Sequence, residues 1–127
     1  QQNVELNTDI SSLSVLSNAE DLDIIFMHII QNALDTNATK DHDLSVNINV
    51  SQENDYAIIN IEDYGEGMSY EFIRNELFRP FRSLKVGGYG IGAYESRQLI
   101  HNMDGRIEIK SREGAGTSVL IYLKKAG

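Results

Sequence analysis

Three short pieces of this chain could do chemistry together. The first is Asn32, on the amphipathic run His28-Ile29-Ile30-Gln31-Asn32-Ala33. The second is Asp63-Tyr64-Gly65-Glu66-Gly67, and the third is Gly88-Tyr89-Gly90-Ile91-Gly92. A single amide oxygen on a rigid helix is an adequate protein ligand for a Mg²⁺ ion that arrives with a nucleotide. Such an ion draws most of its other oxygens from phosphates and water. A carboxylate that ends a strand and enters a glycine turn can accept from the exocyclic amine of adenine, and the glycines let a ring approach the backbone. Glycines just ahead of a helix leave N–H groups, aligned with the helix dipole, for phosphate. Singly, each piece has an ordinary explanation: a polar residue at a helix edge, an Asp-x-Gly turn, a flexible loop. Together and in this order they point to a nucleotide site. It is neither of the common fingerprints, since the chain has no G-x-x-x-x-G-K-[ST] and no G-x-G-x-x-G.

The elements that must position these pieces are legible from periodicity. Ser17 or Asn18 is a fitting helix cap, with Glu20 and Asp21 in the first turn. Apolar residues at 22, 25, 26, 29, 30 and 33 then form one helical stripe. His28, Asn32 and Asp35 share an adjoining face, so the Asn32 amide is expected at a cleft edge. A polar loop follows over 36–43. Leu44, Val46, Ile48 and Val50 alternate with polar residues as a half-buried strand, and residues 56–62 return as a second strand that runs into Asp63. A short helix is predicted over 70–77, broken by Pro80. Val86–Gly92 is a glycine loop, and residues 91–103 are a helix leaving it. Ile107 and Ile109 mark a strand, 113–116 a turn, and Val119, Ile121 and Leu123 a last strand. Short strands are also expected at 4–6 and 13–16. Hairpins imply a mostly antiparallel mixed sheet, and the two amphipathic helices need a face to cover. The expected fold is therefore α+β, a two-layer α/β sandwich with helices on one face.

Bulk properties narrow the function. The 127 residues suit one domain with a core, and 41% hydrophobic with 24% charged residues is ordinary for a globular chain. Cysteine is absent, which excludes disulfides and thiolate metal sites. No apolar run reaches the roughly 20 residues of a membrane helix. The net charge of −8 argues against nucleic acid as a partner. It also means that a polyphosphate needs local help from a divalent cation, backbone N–H groups and placed cations. Candidate cations lie in one stretch at Arg74, Arg79, Arg82 and Lys85.

Over about residues 13–124 these pieces resemble the catalytic, ATP-binding domain of bacterial sensor histidine kinases. That family shares the Bergerat (GHKL) fold with gyrase, a mismatch-repair ATPase and a heat-shock chaperone ATPase. The resemblance maps the N box to His28–Ala33, the first glycine box to Asp63–Gly67, the F box to Phe78–Phe81 and the second glycine box to Gly88–Gly92. It implies Asn32 as the Mg²⁺ ligand and Asp63 as the adenine reader. It implies further nucleotide contacts at Gly65, Gly67, Met68, Phe81, Arg82, Lys85, Gly88, Tyr89, Gly90, Ile91, Gly92 and Thr117. Residues from about 82 to 88 would form a short lid. The runs Leu77–Ser83 and Gly90–Arg97 are similar to kinases of exopolysaccharide and PEP-CTERM systems.

The chain also departs from the family pattern. Four residues before the magnesium asparagine, the hydrolytic members carry a water-activating glutamate and the usual kinase an asparagine; here the residue is His28. A hydrolytic base of the usual type is therefore missing, which favours phosphoryl transfer. His28 is expected to bond phosphate or a metal-bound water, or to pack beside Asn32. Asp35 stands where a cation is common, so phosphate contact is expected from Lys85 first, then Arg82 or Arg97. None of His28, His42 and His101 sits in an H-[ED]-x-x-[NTP] context, so the acceptor histidine is expected on a separate dimerisation domain. Segment 1–12 would be a linker from that domain, and 13–127 the ATP-binding domain. The resemblance implies ATP and Mg²⁺ as cofactors, a response regulator downstream, and a cytoplasmic, monomeric domain of a membrane-anchored parent. The alternative expectation is a degenerate module that binds nucleotide or protein without kinase activity.

Overall fold

The computed structural model describes residues 3–8, 19–37, 45–79 and 92–125. Five strands form one sheet: β1 (Asn3–Thr8), β2 (Ser45–Glu53), β3 (Tyr56–Asp63), β4 (Arg106–Arg112) and β5 (Gly116–Lys124). Their spatial order is β1-β2-β3-β5-β4. Only β1 runs parallel to its neighbour; the β2/β3, β3/β5 and β4/β5 pairs are antiparallel. Three helical segments accompany the sheet. They are α1 (Ala19–Asn37), α2 (Tyr70–Phe72), which widens into a π-helical turn (Ile73–Leu77), and α3 (Ala93–Asn102). This is the expected α+β sandwich with a mixed sheet.

The register explains why one face carries helices. Ile48, Ile61 and Val119 stand in one row across β2, β3 and β5, and Val50, Ile59, Ile121 and Ile107 stand in another that extends into β4. Strand side chains alternate between faces, so these rows share one side of the sheet. Against them α1 buries Ile25 and Ile29, and α3 buries Ile100. Leu22, Phe26, Ile30, Leu99 and Met103 complete the helix side. Each buried isoleucine contributes about 2 kcal/mol relative to staying in water. The opposite face is mostly polar, with Asn49 donating to Glu62 and Arg106 stacked between Tyr56 and Tyr122.

Two features of the topology go beyond the local reading. The short strand expected at 4–6 is β1, and it joins the sheet, where Val4 pairs with Val46 and Leu6 with Ile48. Parallel neighbours need a crossover, and α1 is that crossover. Strand β5 lies between β3 and β4, so Thr117 comes opposite Asp63. The expected strand at 13–16, the cap at Ser17 or Asn18, most of the loop at 36–43 and the break at Pro80 lie outside the described residues.

Candidate functional site

A cavity of about 290 Å³ lies between the helices and the sheet, at the small end of ligand pockets. Its floor is apolar: Ile61, Ile107, Ile109 and Val119 from three strands. His28, Ile29 and Asn32 enter from α1, and Ala93 and Ser96 from α3. Asp63 and Thr117 line it at the end of the β3/β5 ladder, and Gly67, Met68, Phe72, Leu77 and Phe78 close a further side. Residues as far apart in sequence as His28 and Val119 are thus brought to one space, and they include Asn32, Asp63 and Thr117.

The strand wall is a hydrogen-bonded unit. Gly65 N–H donates to Asp63 Oδ1 at 2.9 Å, a side-chain turn that fixes the buried carboxylate. Asp63 therefore makes the ordinary Asp-x-Gly turn and lines the cavity at once. Met68 N–H donates to Ser111 Oγ at 2.7 Å. Ser111 Oγ donates to the Gly116 carbonyl at 2.9 Å and lies 2.7 Å from Thr117 Oγ1. One assignment satisfies all three contacts: Ser111 gives its single proton to Gly116 and accepts from Met68 and Thr117. Gly67 has φ +73°, and a Cβ there would run into the Arg112 carbonyl. Gly116 has φ +107°, and a Cβ would strike the Asp63 carbonyl. Both positions require glycine for internal packing, whereas for Gly67 the sequence suggested room for a ligand ring.

The helix wall is local. His28 and Asn32 stand four residues apart on α1, on one helix face, with Asn32 Nδ2 3.2 Å from His28 Nε2. His28 is only 6% exposed. This is the packing beside Asn32 expected as one role of His28; the other, a bond to phosphate or to a metal-bound water, stays an expectation. The backbone of Asp35 lies on the same helix.

The second glycine box is described only at Gly92, the residue before α3. Its N–H donates to Glu95 Oε1 at 2.8 Å, so an acid of the first helical turn already occupies a group expected to meet phosphate. The guanidinium of Arg97 lies 4.3 Å from the centroid of the Phe78 ring, which places this candidate phosphate cation against the F box. Phe78 is half-buried. Phe81, Arg82, Lys85, Gly88, Tyr89, Gly90 and Ile91, and the lid they would form, lie outside the described residues.

Two polar residues at the site escaped the sequence reading. Ser111 is one; a hairpin register through the 113–116 turn would have placed it opposite Thr117. Ser96 is the other, 1% exposed with its Oγ buried and without a hydrogen-bond partner. Its place at the fourth position after Gly92 marks it as helical but not as buried.

An α+β sandwich with an apolar-floored cavity, a strand-end carboxylate and a helix-borne amide defines a class of nucleotide-binding domain. Comparison with known proteins makes this specific. Residues 17–127 match the family described as histidine kinase-, DNA gyrase B-, and HSP90-like ATPase, and the chain belongs to that family. It is 35% identical over 107 residues to a probable C4-dicarboxylate sensor kinase of Halalkalibacterium halodurans, covering 83% of this chain and 20% of that protein. It is 28% identical over 123 residues to the C4-dicarboxylate transport sensor protein DctB of Rhizobium meliloti, covering 97% of this chain and 19% of that one. The chain thus spans about a fifth of the length of these relatives. In fold it is similar to the nucleotide-free catalytic domain of the histidine kinase ThkA, with a TM-score of 0.79, 20% identity, and coverage of 97% of this chain and 78% of that one. These names carry no mention of exopolysaccharide or PEP-CTERM systems, so that subfamily remains an expectation. The chain is the ATP-binding catalytic type of domain within this family.

Proposed function

We propose that the cavity holds Mg–ATP and that the domain presents its γ-phosphoryl group to a histidine on a separate dimerisation domain. The observation that carries the reading is one cavity lined by both Asn32 and Asp63, with an apolar floor between helix and sheet. In it the Asp63 carboxylate accepts from the adenine amine, Thr117 lies across the ladder from it, and Ile61, Ile109 and Val119 cover the ring. Asn32 supplies one hard oxygen to Mg²⁺. The donor fits that ion, since an amide oxygen is a hard ligand and Asn32 lines the cavity. A nucleotide-borne Mg²⁺ uses one or two protein oxygens. When bound, the ion neutralises phosphate charge. The protein's own contribution is positioning and exclusion of water rather than covalent chemistry.

Gly65, Gly67 and Met68 shape the base side. Phe81, Arg82, Lys85 and Gly88–Gly92 supply the phosphate side, with Lys85 the leading cation. Segment 1–12 joins the domain to the dimerisation domain of a membrane-anchored sensor kinase on its cytoplasmic side, and a response regulator takes the phosphoryl group onward. The relatives' names, sensor kinase and sensor protein, support this reading. The test is transfer in trans. The chain is incubated with γ-labelled ATP, Mg²⁺ and the parent's dimerisation domain. Acid-labile, base-stable label on that domain is expected; label that stays wholly in ATP refutes the transfer.

A further inference from the structure

We propose that His28 is a positioning residue that sets which way the Asn32 amide is turned, and thereby whether an oxygen or an NH₂ group is presented to a cation. The proposal rests on the reading of Asn32 as the magnesium ligand. A primary amide has one useful end for Mg²⁺, which takes oxygen and not nitrogen. The two ends are nearly equal in size and shape, so packing alone does not choose between them. A hydrogen bond does. His28 Nε2 lies 3.2 Å from Asn32 Nδ2. With the imidazole neutral and its proton on Nδ1, Nε2 carries a lone pair that the amide N–H can meet. The nitrogen end is then held at the ring, and the oxygen end is turned away from it. Both side chains line the cavity, and the ring is buried, so it cannot swing out into water.

The opposite arrangement has Nε2–H donating to the amide oxygen. It would turn toward the ring the one atom a magnesium ion can use and engage one of its two lone pairs there. The two arrangements predict opposite results when the ring is removed. With the proton on Nδ1, Nε2 accepts from Asn32, and its lone pair is engaged rather than left for a water molecule. Residues that orient a metal-ligating group by hydrogen bonds are worth about ten- to hundredfold in metal affinity.

The test measures binding of a non-hydrolysable ATP analogue by the whole chain, with Mg²⁺ and with chelator, for wild type, His28→Leu and His28→Gln. Free Mn²⁺ is followed by electron paramagnetic resonance as a direct metal readout. His28→Leu removes the acceptor. It is expected to keep the metal-free affinity within about twofold and to lose about tenfold or more of the gain from metal. His28→Gln restores an acceptor oxygen and is expected to recover most of that gain, which a loss of packing would not explain. Thermal melts report whether the leucine variant folds. If it does not, His28→Met makes the same comparison with an unbranched side chain. A leucine or methionine variant whose metal gain equals or exceeds wild type overturns the proposal. So does a glutamine variant as poor as leucine. Wild type whose nucleotide affinity ignores Mg²⁺ defeats the reading of Asn32, and this proposal with it.

Discussion

The strand wall and the helix wall of the cavity are built in different ways. On the strand side, Met68 bonds to Ser111 across 43 residues, Ser111 ties to Thr117 and Gly116, and Gly116 packs on the Asp63 backbone. On the helix side, Asn32 bonds to His28 one turn away. The strand wall therefore exists only when β3, β4 and β5 are assembled in register. The helix wall exists wherever α1 does. Substitutions on the first should move stability and ligand affinity together; on the second they should come apart.

Gly67→Ala should do the most damage. It combines positive-φ strain with a clash against Arg112, and we expect a loss of about 3 kcal/mol or more. In a melt this is a fall of roughly 10 °C. An unchanged melting temperature would mean that the Gly67 turn is not packed on β4. Ser111→Ala comes next. It leaves the Met68 N–H and Gly116 carbonyl without their partner, at a cost of about 2 kcal/mol. ATP affinity should fall with or without Mg²⁺, because the base side is disturbed. Chemical denaturation and titration calorimetry on one sample check both halves. The smallest effect on stability is expected for Asn32→Ala. Alanine's helix propensity offsets most of the lost hydrogen bond, so unfolding should shift by no more than about 1 kcal/mol. The Mg²⁺-dependent part of ATP binding should nevertheless vanish while the metal-free part stays.

The same contrast explains what could be read in advance. The helix wall is written in local spacing: the stripe at 22, 25, 26, 29 and 30 fixes which side of α1 meets the core, and Asn32 follows as a border residue. The hairpin strands and the strand ending at Asp63 are equally local, since alternation over eight residues is a period-two signal. Ser111 is not local. Its role depends on the register of one hairpin and on the loop at Met68 reaching it, and neither leaves a periodic trace. The insertion of β5 between β3 and β4 and the parallel docking of β1 through Val4 and Leu6 are long-range pairings of the same kind. Gly67 and Gly116 were visible as glycines, but the backbone atoms that demand them, at Arg112 and Asp63, belong to distant strands. Glu95 shows the reverse case: its capping of Gly92 is local, three residues away, and the phosphate expectation for the glycine box obscured it.

Asp63 is proposed to read the base of a bound Mg–ATP, and titration calorimetry of Mg–ATP into wild type and Asp63→Asn tests this. Asparagine keeps an oxygen for the Gly65 N–H, so the turn survives, but the charged acceptor is gone. Wild type is expected to bind in the sub-millimolar range and the variant to lose about ten- to hundredfold, the worth of a hydrogen bond to a charged group. Equal affinities, or no heat from wild type at millimolar ATP, would contradict it.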